Sequence, residues 1–500
     1  MTEPLVLASR TVRSSSGATV AVASAATFLA LVSFTTPLAT LPTTAAALGS
    51  GPEGQAWILS SMSIGLGVAL LPGGAVADDL GRRRALVLGS AVLVISSVVC
   101  ALAPTTAVLV AGRIGAGVGG AALIAAGLGL IGHAFPSGSP EARRASGVWG
   151  AALGGGIAVG PLLATGAQEL GGWAAAYWLE ALLAVVLGVV ARFVLDESRA
   201  DRPRPVDGPG VVLLAAGVGV LLTGLVEARG GPGRPLVIVL VLGGLVLLGV
   251  WLVVEHRRAA PMIDPELFRS PPFLAATLGA LATGAGIIST TSFLLTVMSR
   301  GLGASPVIGA VVLLAWSATG VVTSLLARRI PATVSARIQL AVGLVVVAVG
   351  QLMLLGATPE SSPWRYVPGL LVAGVTSGVV NSALGREAVA SVPPGRVAMG
   401  SGANNTARYV GSAIGTTVVA VVATRPGLPS GPVGLLQGFD TAVVVATAFS
   451  VLGALAVFAC RPRRGSTSLR GDRAVPERAD SVDGQGSARR DPGPPQAAVP

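Results

Sequence analysis

Gly74-Ala75-Val76-Ala77-Asp78-Asp79-Leu80-Gly81-Arg82-Arg83-Arg84 lies between two apolar runs, each long enough to cross a bilayer. The first run ends near Val76 and the second begins near Ala85, so a short charged hairpin joins two membrane helices. Each residue type has a physical reason to be there. Gly74 lets two helices approach closely. Asp78 puts a carboxylate at a helix end, where it can meet the positive N-terminus of another helix. Gly81 supplies a sharp turn. Arg82, Arg83 and Arg84 hold the hairpin on the cytoplasmic side.

Working outward, the composition agrees. The 500 residues are 52% hydrophobic and 11% charged, where a soluble chain carries about 25% charged residues. Glycine is abundant, at 69 residues, as expected where helices pack on small side chains in lipid. Apolar runs of membrane-spanning length fall at 18–41, 55–76, 85–103, 107–131, 146–167, 173–194, 208–227, 235–254, 273–297, 306–327, 337–357, 366–385, 400–423 and 439–460. Arginine placement orients them. Twenty-two arginines between Arg10 and Arg464 fall at one side; five, Arg229, Arg234, Arg300, Arg365 and Arg425, fall at the other. That asymmetry predicts both termini inside. It also explains the net charge of +11 without nucleic acid. Cys100 and Cys460 both lie in apolar spans, so no disulfide framework is implied. The first run is long and lacks a clear cleavage site, so it reads as a retained helix.

Polar segments then divide the chain. Residues 1–17 form an N-terminal tail, 18–194 a six-helix bundle, 195–272 linkers around a two-helix insert, 273–460 a second six-helix bundle, and 461–500 a polar tail expected to be disordered. The fold class is all-α integral membrane.

The hairpin resembles the loop between helices two and three of the major facilitator superfamily: Gly74, then Asp78, then Gly81-Arg82-Arg83. The family usually has a basic residue directly after the Asp, where this chain has Asp79. Arg113 and Gly117 resemble the family's helix-four Arg and Gly. Gly156, Gly160 and Pro161 resemble the Gly-x-x-x-Gly-Pro helix-packing motif of its antiporter branches. Asn404-Asn405-Thr406-Ala407-Arg408 resembles a helix-thirteen segment of the fourteen-helix drug:proton antiporter branch. Helix one ends in the family's Leu41-Pro42, but Ser33 stands where the family usually has an Asp, and the helix has no carboxylate.

The resemblance implies a major facilitator fold of fourteen helices, with Gly74, Asp78, Gly81, Arg82 and Arg83 as a conformational latch. Asp78 is expected near the N-terminus of helix thirteen, between Val397 and Asn404. Arg113, Asn404, Asn405 and Arg408 become cavity or coupling residues. Glu180 is read from the residues themselves. It is the clearest carboxylate within a span, and a carboxylate in low dielectric suits proton exchange. It is equally consistent with a structural ion pair or a vestibule carboxylate. Arg113 and Glu180 lie at matching depth and are expected to pair. Arg386 and Glu387 read as a solvated loop start, and Asp440 as the N-cap of helix fourteen.

No phosphate-binding Gly-x-x-x-x-Gly-Lys-Ser/Thr loop and no metal-spaced Cys/His cluster occur. No cofactor, metal or catalytic activity is therefore expected. The expected function is proton-coupled efflux of small amphipathic compounds, drug or antibiotic export, by alternating access. Its partners would be a small-molecule substrate, protons and the lipid bilayer, with no nucleic acid, in a monomer of the plasma membrane. The alternatives are a metabolite facilitator or importer, and a non-transporting membrane sensor on the same fold.

Overall fold

The structure, a computed structural model, describes residues 3–461 apart from 137, 201–206, 259–260, 262–264, 332 and 394. The tail 462–500 and part of the first linker lie outside the described residues. Among the described residues the regular secondary structure is all helical. Six helices come first: α1 Glu3–Leu48, α2 Pro52–Leu80, α3 Arg82–Ala101, α4 Thr106–Ala134, α5 Pro140–Gly171 and α6 Trp173–Val194. Then come α7 Gly208–Glu227 and α8 Pro235–Arg257. Six more follow: α9 Pro271–Gly301, α10 Pro306–Leu326, α11 Ala336–Leu352, α12 Val367–Ala390, α13 Val397–Ala423 and α14 Pro432–Ala459.

Among the described residues, thirteen of these helices are long and apolar enough to cross a membrane. The fourteenth, α11, has 17 residues, at the short end of the spanning range. The expected order of six, two and six helices is therefore present, with α11 shorter than the run 337–357 suggested. Helix α1 also begins ahead of the expected residue 18, at Glu3.

Local chemistry sets the helix ends. Ser139 and Asp207 accept from backbone N–H groups of the first turns of α5 and α7 at 3.0 Å, as N-caps do. Gly81 joins α2 to α3 at φ 121°, a conformation few other residues adopt. Within the bundles, glycines permit backbone contact. A Cβ on Gly65 would overlap the Ile114 carbonyl oxygen, which is why α2 and α4 can pack so closely. In lipid this close packing replaces the hydrophobic drive available in water.

Helices α7 and α8 do not form a separate layer. Leu214, Val218 and Leu222 of α7 pack in one cluster with Ile64 and Leu71 of α2 and with Met399 and Ala403 of α13. Thr417 of α13 donates to the Leu225 carbonyl at 2.7 Å. The insert therefore leans on the seam where the two six-helix bundles meet. Helix α8 lies on the outside and exposes Leu236, Val239, Leu242 and Val246, the surface a lipid-facing helix presents.

Candidate functional site: a latch, a carboxylate cluster and a charge-poor cavity

The α2–α3 hairpin meets α13 as expected. Asp78 is fully buried. Its Oδ1 accepts from Ala398 N at 3.2 Å and its Oδ2 from Met399 N at 2.9 Å. These are free N–H groups in the first turn of α13, so Asp78 caps a helix of the other bundle. Arg82 donates to the same carboxylate through Nε at 2.9 Å and Nη2 at 2.7 Å, and Nη2 also reaches the Gly395 carbonyl at 3.0 Å. Gly74 lies against Ala398, whose carbonyl oxygen a Cβ at residue 74 would overlap.

Two partners were not visible in the sequence. Asp79 forms a buried ion pair with Arg396, at 2.9 Å, so the chain's departure from the family pattern has its own counter-charge across the bundle interface. Glu197, just after α6, accepts from Arg83 N at 3.1 Å and sits 3.5 Å from the Arg84 guanidinium. Backbone bonds from Arg82 N to Ser198 O and from Ala200 N to Asp78 O strap that segment along the hairpin. At the same end of the molecule, Ser324 of α10 donates to the Gly147 carbonyl of α5 at 3.1 Å. The bundles are thus bound to each other at the hairpin end.

Nearer the middle of the spans, Arg113 and Glu180 are both buried, but they form no ion pair within 4.0 Å; the expected direct pair is corrected. Arg113 instead donates to three carbonyls: Ser33 at 3.1 Å, Phe34 at 3.2 Å and Ile58 at 3.1 Å. Glu180 accepts from Ser33 Oγ at 2.7 Å and from Thr36 Oγ1. The two charges meet on one residue, Ser33, one at its carbonyl and the other at its hydroxyl.

Helix α5 packs on α1 through its glycines. A Cβ on Gly156 would press on the Phe28 carbonyl, and one on Gly160 on the Thr35 hydroxyl, so α1 and α5 touch through backbone. In α13, Asn404 Nδ2 bridges to the Ala276 carbonyl of α9 at 3.1 Å, whereas Asn405 Nδ2 turns back to Ser401 of its own helix at 3.0 Å. Arg408 is buried, and its Nε and Nη2 find no acceptor among the described residues. Its neighbour Tyr409 meets Phe34 of α1 edge-on, at 5.8 Å between ring centres.

Two other expectations change. Asp440 lies two turns inside α14, which begins at Pro432, and it accepts from Gly356 N at 3.0 Å; it caps the turn after α11, not its own helix. Arg386 and Glu387 are half-buried rather than fully solvated. Arg386 donates to Ser382 at 2.9 Å and to Gln339 at 2.6 Å. Both residues line a 330 Å³ cavity at the hairpin end, together with Arg143 and Phe135 from the first bundle.

At the opposite end a larger cavity of 680 Å³ opens between α1, α2 and α9. It continues inward through Leu38, Ser292 and Leu295 to a small pocket of 80 Å³ beside Phe34, Pro161 and Trp316. The outer volume is in the range that holds a drug-sized ligand. Trp316 is fixed by a hydrogen bond from its Nε1 to Ser377 at 3.0 Å.

The comparisons with known proteins agree with this architecture. A model of the Major Facilitator Superfamily matches residues 23–416. The chain is 32% identical to the cephamycin export protein CmcT of Amycolatopsis lactamdurans, over 87% of this chain and 92% of that one. It is 30% identical to the multidrug resistance protein Stp of Mycobacterium tuberculosis, over 76% of this chain and 71% of that one. Among solved structures, the proton:xylose symporter XylE is similar at TM-score 0.66, with 14% identity and coverage of 90% of this chain and 96% of that one. By its two six-helix bundles joined at the hairpin and this match over most of its length, the chain belongs to the Major Facilitator Superfamily.

Proposed function

We propose that this protein exports small amphipathic compounds across the plasma membrane in exchange for protons, by alternating access between the two six-helix bundles. Both termini and the hairpin end lie in the cytoplasm, where the arginines concentrate. The conformation described here, latched at the hairpin end and open at the other, is then the outward-open state. The relatives, a cephamycin export protein and a multidrug resistance protein among them, support an export direction.

One observation carries the mechanism. On α1, Phe34, Thr35 and Leu38 line the inner pocket, while Ser33 and Thr36, interleaved with them, bind Glu180. Glu180 itself lines neither that pocket nor the outer cavity. Proton and substrate therefore do not compete for one carboxylate. Each acts on its own face of the same helix. Protonation removes an acceptor from the Ser33 and Thr36 hydroxyls, and substrate presses on the residues between them. An equilibrium between two α1 positions that both ligands bias is sufficient for coupling.

The test is export from inverted membrane vesicles of an efflux-deficient host across a compound panel. Accumulation that collapses when the pH gradient is dissipated supports the reading. Accumulation indifferent to the gradient, or accumulation in the uptake direction only, overturns it.

A further inference from the structure

We infer that the exported compounds are uncharged aromatic molecules that carry hydrogen-bond donors, such as hydroxyl or N–H groups. The inference rests on the export reading for its direction, but the site chemistry stands by itself. Among the described residues, no acidic side chain lines the outer cavity or the inner pocket. Arg300, exposed near the outer end of α9, is the one charged residue among the described residues on the walls of either. A cation leaving by this route gives up water without gaining a counter-charge, and then passes a guanidinium.

The polar groups that remain have a common orientation. Thr35, Thr165, Thr291, Ser292 and Ser317 supply the hydroxyls of the inner pocket. Each donates its proton to a carbonyl one turn back in its own helix: Leu31 at 2.9 Å, Pro161 at 2.9 Å, Ile287 at 2.9 Å, Ile288 at 2.7 Å and Leu313 at 3.2 Å. A hydroxyl has one proton to give and two lone pairs to offer. With the protons spent on the helices, the pocket offers acceptors. An anion, itself an acceptor, finds no donor there. An uncharged donor does, and the rings of Phe34 and Trp316 on the pocket wall suit an aromatic body.

Three probes on one skeleton separate the possibilities: hydroxymethylanthracene, methoxymethylanthracene and trimethylammoniomethylanthracene. Binding to the purified full-length protein is read by anthracene fluorescence, with no gradient and no transport required. The alcohol is expected to bind about tenfold tighter than the ammonium, a difference of about 1.4 kcal/mol, and tighter than the ether that lacks its donor. Ser292→Asp, which places a carboxylate where the pocket meets the outer cavity, should reverse the order of alcohol and ammonium; Thr165→Asp provides the same test if that variant does not fold. Equal or tighter binding of the ammonium by the unsubstituted protein, equal binding of alcohol and ether, or binding of none of the three overturns the inference. Efflux of the alcohol from loaded proteoliposomes is measured alongside. If the alcohol binds with the expected order yet is not exported, the export reading fails while the assignment of ligand chemistry stands.

Discussion

The Ser33 carbonyl accepts a hydrogen bond from the Arg113 guanidinium at 3.1 Å, and Pro37 leaves that carbonyl free. In an α-helix the carbonyl of residue 33 would bond the N–H of residue 37, which proline lacks. Arg113 takes the vacant acceptor and spans to α2 through Ile58 at 3.1 Å. A buried guanidinium is expensive, and this one is met by carbonyl dipoles on two helices instead of a carboxylate. Lysine cannot reproduce the arrangement, because a single ammonium nitrogen lacks the planar fork. Arg113→Lys should therefore lower the unfolding temperature and cut transport by about tenfold or more, since each lost bond to a charged group is worth about 1.5–3 kcal/mol. Full transport and unchanged thermal stability in that variant would show that charge alone suffices.

The Asp78–Arg82 pair at the hairpin offers a substitution with an internal control. Asp78→Asn keeps an oxygen for the α13 N–H groups but removes the charge that faces both the helix N-terminus and Arg82. Leaving one partner of a buried pair behind costs about 3–5 kcal/mol. Transport should fall by about tenfold while the protein still reaches the membrane. Adding Arg82→Gln removes the stranded cation, so the double variant should be more stable than Asp78→Asn alone. If the second substitution instead deepens the loss, Arg82 is held by something other than Asp78.

What the sequence disclosed follows from where the partners lie. Gly74, Asp78 and Gly81 sit in one short stretch, and their spacing alone indicates a carboxylate presented at a tight hairpin. The two six-helix bundles were legible because an apolar run of about 20 residues has few uses outside a bilayer. Asp79 and Arg396 are separated by 317 positions, and no local pattern connects them. Arg113 misled because a buried charge invites a search for an opposite charge, whereas its acceptors are backbone carbonyls. The one available signal was Pro37, four residues after Ser33. Asp440 reads as a cap because the apolar run of α14 stands out only from 439, about two turns beyond the helix start at Pro432.

The Asp79–Arg396 pair is open to a charge swap. Asp79→Arg restores the basic residue usual in the family, yet here it would set two guanidiniums together in a buried site where both side chains are at most 10% exposed. Like charges at such a place are strongly unfavourable. Asp79→Arg should open the hairpin end, seen as increased labelling by a membrane-impermeant thiol reagent of a cysteine placed at Ala398, and transport should drop. Adding Arg396→Asp should recover much of both. A double variant no better than Asp79→Arg would mean that Asp79 acts through its position and not through this pair.

The last prediction concerns the carboxylate that holds α1. Glutamine at residue 180 has nearly the shape of glutamate and can still accept a hydrogen bond from Ser33 or Thr36, but it cannot exchange a proton. The second bundle supplies a precedent for a neutral group at a similar junction. There Gln351 of α11 donates to Thr290 of α9 at 2.9 Å and accepts from Ser450 of α14 at 2.7 Å, tying three helices together without a charge. Glu180→Gln should therefore fold, and its unfolding temperature should stay close to that of the unsubstituted protein. It should also bind substrate, because residue 180 lines neither the pocket nor the outer cavity. What it should lose is substrate-driven proton release, measured as a pH change in proteoliposomes, together with the pH dependence of transport. Glu180→Ala separates the remaining possibility. It leaves the Ser33 hydroxyl without its acceptor, while Thr36 keeps the Val32 carbonyl at 3.0 Å, and should cost stability as well, about 1–3 kcal/mol for a buried donor left unpaired. If Glu180→Gln releases protons at the unsubstituted rate, the carboxylate is a strut like Gln351, and the proton travels by another acid, with Asp78 and Glu387 the next to substitute.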